Sequence, residues 1–269
     1  MSPSGGRAVE LAGSLAHRLT VLEPSARLAA ATAFLELWSV EDMVDALEGL
    51  LRLREAGDRH GRDALGVMTE AISALGERDE ISDLLVFARE HHRLEVAHLL
   101  ERPPPAREFR PEDERGVDRE MRSKTLGFRK ALARKADRPQ LARLLTDPDP
   151  SVVHNLLAHP RLTETEVVGL AARRPARPEV LREIYRAPRW STRRRVRRAL
   201  ANNPYTPTEI ALKLVALLPL SDAKAIAADG NLHEAVRRAA GARVAEFARR
   251  KETAEAAAQL DALEPEGEA

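Results

Sequence analysis

The chain has 269 residues, with 43 Lys and Arg against 42 Asp and Glu, no cysteine, 43% hydrophobic residues and only 3% aromatic ones. That length holds one large domain or two small ones, and the missing cysteines exclude a disulfide framework, a thiol nucleophile and any thiolate metal site. The opening residues lack the basic start and continuous apolar core of a signal peptide, and no segment reaches the ~18 uncharged apolar residues of a membrane span, so a soluble cytoplasmic protein without a transmembrane segment is expected.

Ala, Leu, Arg and Glu dominate, and apolar residues recur at three- and four-residue spacing, so the expected fold class is all-α. Residues 1–100 carry 10 basic and 17 acidic side chains and are predicted to form an N-terminal helical region, with helices near 7–20, 24–37, 40–55, 62–75, 79–90 and 91–101. The third has the clearest start. Ser39 is placed to cap the free amides with Asp42 at the third helical position, and Trp38 and Met43 flank them as a hydrophobic staple.

Residues 101–118, ERPPPAREFRPEDERGVD, read as a linker. Pro103, Pro104 and Pro105 cannot continue a helix, and the charges that follow leave little apolar surface to bury. Beyond it, residues 119–250 carry an internal repeat. Val152-Val-His-Asn-Leu156-Leu-Ala-His-Pro160 aligns with Val196-Arg-Arg-Ala-Leu200-Ala-Asn-Asn-Pro204, and Val236-Arg-Arg-Ala-Ala240 begins a partial third copy. Thr163-Glu-Thr-Glu166 and Thr206-Pro-Thr-Glu209 then read as capping boxes opening an apolar helix in each copy. A short closing helix is predicted around Pro178–Ala187 and again around Ser221–Asp229. Lys124–Thr146 reads as the end of a divergent preceding unit, Ala242–Leu263 as an amphipathic terminal cap, and 251–269 as a helix end with an acidic tail. No such unit buries its apolar face alone, so neighbours must stack.

Asp147-Pro-Asp-Pro-Ser-Val-Val, Leu-Leu-Ala-His-Pro160 and Ala-Leu-Ala-Asn-Asn-Pro204-Tyr-Thr-Pro207 resemble the leucine-rich repeat variant and the broader HEAT-like repeats of bacteria. The resemblance covers roughly the second half of the chain. It implies a right-handed α-solenoid of HEAT/armadillo-like helical repeats with a curved binding surface, and it specifies architecture rather than chemistry. The spacing is longer than in the compact variant repeat, and the cysteine cluster of one relative is missing, which removes any inherited iron–sulfur role.

The strongest local anomaly is a run of arginines in residues 173–198, which hold 11 basic against 2 acidic side chains. Arg182, Arg186, Arg189, Arg193, Arg194, Arg195, Arg197 and Arg198, with Trp190 beside them, are the candidate partner-binding residues. If Ser191 caps the next helix, then Arg193, Arg194 and Arg195 fill its first turn, where cations are unfavourable by about 0.3–1 kcal/mol each. An anion would compensate. A solvated arginine face with Val196, Ala199 and Leu200 turned inward is the competing reading. Trp190 is either an interface anchor or a staple on its own repeat. An acidic protein face is the expected partner, including the acidic N-terminal half of the same or another copy. Nucleic acid is the alternative, held down by the scarcity of aromatic side chains for stacking.

No catalytic constellation accompanies the run. His91, His92 and His98 lack a ligand-spaced carboxylate, His154 and His159 are badly spaced for one helix face, Gly57-Asp-Arg-His-Gly61 is no phosphate loop, and no serine lies in a nucleophile elbow. No catalytic, cofactor-binding or metal-binding residue is expected. The expected function is a non-enzymatic scaffold or adaptor for protein–protein interaction, of unspecified oligomeric state.

Overall fold

The computed structural model describes residues 3–76, 78–114 and 118–263, and all regular structure among them is helical. The N-terminal part runs through α1 (Pro3–Val21), α2 (Pro24–Leu37), α3 (Val40–Glu55), α4 (Arg59–Leu75), α5 (Asp79–Glu90) and α6 (Leu94–Leu100). A connecting stretch holding a 3-10 turn at Pro111–Asp113 leads into α7 (Arg119–Arg122), α8 (Leu126–Lys135) and α9 (Arg138–Leu144). There follow α10 (Pro150–Leu157), α11 (Glu164–Ala172), α12 (Pro178–Arg186), α13 (Pro188–Ser191), α14 (Arg194–Ala201), α15 (Thr208–Leu217), α16 (Leu220–Ala228) and α17 (Glu234–Leu263). The acidic tail after Leu263 lies outside the described residues.

Local chemistry accounts for the N-terminal elements. Ser39 accepts from the Asp42 amide at 3.1 Å and donates to the Asp42 carboxylate at 2.8 Å, closing the start of α3 as its sequence dictates. Trp38 packs edge-on against Phe34, with ring centroids 5.5 Å apart. After α3 the chain turns through Gly57 at φ +85°, a conformation that glycine adopts without strain, and Asp58 accepts from the Gly61 amide at 2.5 Å to open α4. α1 lies along α3 in close backbone contact at Gly49, where a Cβ would stand 2.0 Å from the Ala8 carbonyl oxygen and 2.6 Å from Ala12 Cβ.

In the second half the helices recur in register. α10 starts at Pro150 and α14 at Arg194, α11 at Glu164 and α15 at Thr208, an offset of 44 residues both times. Packing recurs with it: α11 lies on α14, and α15 lies on α17. Val152 and Leu156 of α10 and their counterparts Val196 and Leu200 of α14 are all fully buried. His159 and Asn203, also 44 apart and both buried, accept from the backbone amide two residues on, Arg161 at 3.2 Å and Tyr205 at 3.1 Å. Asn203 further donates to the Ala171 and Arg173 carbonyls at 2.7 and 2.9 Å, which ties the end of α14 to the end of α11.

Three local expectations are corrected. Thr163 and Glu166 form the predicted capping box, but Thr206 and Glu209 do not. The 44-residue register puts Pro207 at the cap position, which has no side-chain acceptor; Thr206 is buried and donates instead to the Leu200 carbonyl at 2.7 Å, while Glu209 pairs with Arg182. Ser191 ends α13 and does not cap α14, whose cap is Arg193 without a side-chain bond; Arg194 and Arg195 do occupy the first turn. The third repeat copy and the terminal cap are one continuous helix of 30 residues, α17.

The apolar side chains collect in two clusters, one from α1–α6 and one from α7–α17, and α15 borders both. Nine of its ten residues are buried; Ala216 and Leu217 belong to the N-terminal cluster and most of the others to the second. The sequence Ile-Ala-Leu-Lys-Leu-Val-Ala-Leu is apolar nearly all round because α4, α6, α14 and α17 all pack on it. The proline-rich stretch after α6 is pinned to both parts. Arg102 donates to the Ile72 carbonyl at 2.9 Å, Thr208 donates to the Pro104 carbonyl at 2.9 Å, and Arg177 donates to Glu114 at 2.8 Å.

Candidate anion-binding cleft

The arginine run does not form one face. Arg189 lies 4.5 Å over the Trp190 ring and donates to the carbonyls of His159, Pro160 and Leu162 at 3.0–3.4 Å, completing the turn after α10. Trp190 itself is 3% exposed, and its indole Nε1 donates to the Leu157 carbonyl at 2.7 Å, so it joins the core of the preceding unit. Arg182 donates to Glu209 at 3.2 Å and Arg186 lies 3.8 Å from Glu183. Arg194 grips both oxygens of Asp222 at 3.0 and 3.3 Å, and Arg198 approaches the same carboxylate at 3.7 Å. The hydrogen bond and charge of Asp222 raise the Arg194 pKa further above its ordinary value. The carboxylates meeting these residues come from the C-terminal half, not from the acidic N-terminal one. Arg193 and Arg195 are exposed, with no side-chain hydrogen bond or ion pair among the described residues.

Arg197 faces the other way. It is largely buried against α4, its Nε donates to the Ser191 carbonyl at 2.5 Å, and burial pushes its pKa down. With Arg194 it forms one wall of a cleft of about 420 Å³ between the two halves of the molecule. Arg54 at the end of α3, Arg62 on α4 and Arg243 on α17 complete a set of five guanidinium groups, with Glu55 the one carboxylate in the lining. Leu217, Leu218, Pro219, Leu220 and Phe247 supply the apolar wall.

A buried ionic network forms the floor. Arg54 donates to the Ala216 carbonyl and, at 2.7 Å, to Glu55. Arg243 donates to the Val215 and Leu218 carbonyls at 2.5 and 2.7 Å, satisfying the end of α15, and to Glu55 at 3.4 Å. Arg250 bridges Glu55 and Glu95, at 3.2 Å each, and reaches Glu246 at 2.8 Å. Burial, with Arg243 close by, pushes Arg54 down to about 10, while burial pushes Glu95 up. The network joins α3, α6, α15 and α17, whose residues lie as many as 195 positions apart in sequence. Arg54, Arg62 and Arg243 lie outside the arginine run and carry no local charge signal. The available signal was different: Arg54 follows Leu47, Leu50 and Leu51 on the apolar stripe of α3, and Arg243 follows Ala239 and Ala240 on that of α17.

The histidines lie apart from this site. His91 stacks on Phe87 at 3.9 Å, His154 pairs with Glu183 at 2.8 Å, and His98 is held below its ordinary pKa by burial. Among the described residues no three metal-ligating side chains come together, and no helix is long and apolar enough to cross a membrane. Comparison with protein-family models, with curated proteins and with solved structures finds no match.

Proposed function

We propose that the chain is a non-enzymatic scaffold of bacterial HEAT-like or variant leucine-rich repeats, an α-solenoid whose outward arginines hold an acidic segment of a partner protein. The 44-residue recurrence of helices and of their contacts supports the repeat reading. The observation carrying the binding reading is the pair Arg193 and Arg195, exposed and without acidic partners among the described residues at the start of α14, where the helix dipole already disfavours cations. Arg186, exposed at the end of α12, adds to the positive charge of this segment, which an acidic peptide would neutralise.

The test is capture from cells. Partners cross-linked to the wild-type chain and identified by mass spectrometry should carry acidic segments, and the triple substitution R186E/R193E/R195E should release them with helicity intact. Retention of the same partners by the triple variant refutes the proposal. Nucleic acid is the competing occupant of this surface. DNA binding whose log–log salt slope falls by about 0.9 for each neutralised phosphate, lost in the same variant, would favour it.

A further inference from the structure

The cleft lined by Arg54, Arg62, Arg194, Arg197 and Arg243 has more positive charge than its surroundings offset. Arg54 and Arg243 share Glu55, and Arg194 is matched by Asp222. Arg62 donates only to the Gly57 carbonyl, at 3.4 Å, and Arg197 only to the Ser191 carbonyl; neither has a carboxylate within ion-pair distance among the described residues, although the charge of Asp63 lies close enough to favour the Arg197 cation. Arg54 is 6% exposed, and its Nε has no hydrogen-bond partner among the described residues. Donors therefore exceed acceptors here: Arg62 is exposed, while Arg54 is buried and Arg197 largely so, where unmatched guanidinium charge is expensive.

We propose that this cleft is a binding site for a small phosphate monoester carrying a flat or apolar body. The phosphate of such a molecule bears about −1.5 to −2 charges at pH 7, which matches the uncompensated Arg62 and Arg197, and guanidinium forks bind phosphate oxygens in pairs. Phe247, Leu217, Leu218 and Leu220 in the same lining offer apolar contact for the rest of the molecule. A volume of about 420 Å³ lies within the range of small-molecule sites and exceeds what a bare anion fills. Arg54 and Arg62 come from the N-terminal half while Arg194 and Arg197 come from the repeats, so the ligand clips the two halves together. This site is separate from the exposed Arg186, Arg193 and Arg195 surface.

The test uses isothermal titration calorimetry on the full chain with phenyl phosphate, adenosine monophosphate, inorganic phosphate and phenol. At least one of the two esters should bind more tightly than inorganic phosphate by tenfold or more, and phenol should not bind. R197Q and R62Q should each weaken the ester by at least about tenfold, the loss expected for one charge-assisted bond. R62Q removes an exposed side chain and leaves the fold intact, so it decides the matter if R197Q is unstable. Ester affinity should fall below about pH 6 as the phosphate gains a proton. R193Q/R195Q should leave it unchanged, which separates failure of this site from failure of the scaffold surface. Absence of ester binding, equal affinity for inorganic phosphate, or unchanged affinity in R62Q each overturns the proposal. Tighter binding of a phosphotyrosyl peptide than of either free ester overturns the small-molecule assignment.

Discussion

Lys213 is the largest fully buried side chain among the described residues, 0% exposed in the middle of α15, with its Nζ donating to the Glu209 carbonyl at 3.2 Å. Burial, reinforced by the nearby Arg102 guanidinium, pushes its pKa from 10.5 down to about 7. The unfolded chain holds the Lys213 proton up to about pH 10.5, whereas the folded chain releases it near 7. The unfolded state therefore binds more protons between these values, and stability rises with pH at up to about 1.4 kcal/mol per unit. The accumulated penalty at pH 7 is about 4 kcal/mol, and below that pH it is constant. Replacing Lys213 with Met keeps the aliphatic stem and removes the amine, so K213M should be more stable than wild type by about that amount at pH 7 and by no more than about 1 kcal/mol near pH 10. Urea unfolding followed by circular dichroism at pH 7, 8, 9 and 10 measures both quantities. This window isolates Lys213: His98, lowered by burial, acts below about pH 6.5, and Arg54 and the raised Tyr185 act near 10 and above. A wild-type stability that is flat from pH 7 to 9, or a K213M chain with the same pH slope as wild type, would refute the reasoning.

Two further substitutions test the packing. G49A should destabilise by about 1–3 kcal/mol or more, because its Cβ meets the α1 backbone; G169A, on an exposed stretch of α11 with nothing within 4 Å of the new methyl, should instead stabilise by up to about 1 kcal/mol. Thermal unfolding of the pair gives opposite signs if the α1–α3 contact is as close as described. W190F should lower stability by about 1–3 kcal/mol by leaving the buried Leu157 carbonyl without its indole donor, and W190A by about 3–5 kcal/mol through the added cavity. Near-wild-type urea midpoints for both would place Trp190 at the surface.

Elements with a local cause were legible in sequence. The helices of the first hundred residues lie close to their expected positions because apolar spacing and caps such as Ser39 are properties of a few neighbouring residues. The repeat was legible for the same reason, since His159-Pro160 and Asn203-Pro204 make the same turn. The second capping box failed because Thr206-Pro-Thr-Glu209 satisfies the pattern one residue out of register with the three-dimensional repeat, and only the buried bond from Thr206 to Leu200 reveals it. The arginine run was legible as charge but not as a surface. Its members alternate between carbonyls, carboxylates, solvent and the cleft, because successive residues of a short helix point in different directions. The cleft depends on Arg54, Arg62 and Arg243, which share no local pattern with Arg194 and Arg197.

Helical-repeat chains lengthen during evolution by duplicating a unit, since each unit contacts only its neighbours. On the repeat reading proposed above, that route is open at one end alone. A copy inserted ahead of α10 would meet chiefly α8, α9 and α12, which pack on α10 in the second half of the chain. A copy inserted after α14 would have to displace α15 from the groove that α4, α6 and α17 make around it. The buried helix thus sets a stop, and relatives of different length should differ on the α7–α9 side, with α15, α17 and the N-terminal helices kept as one block.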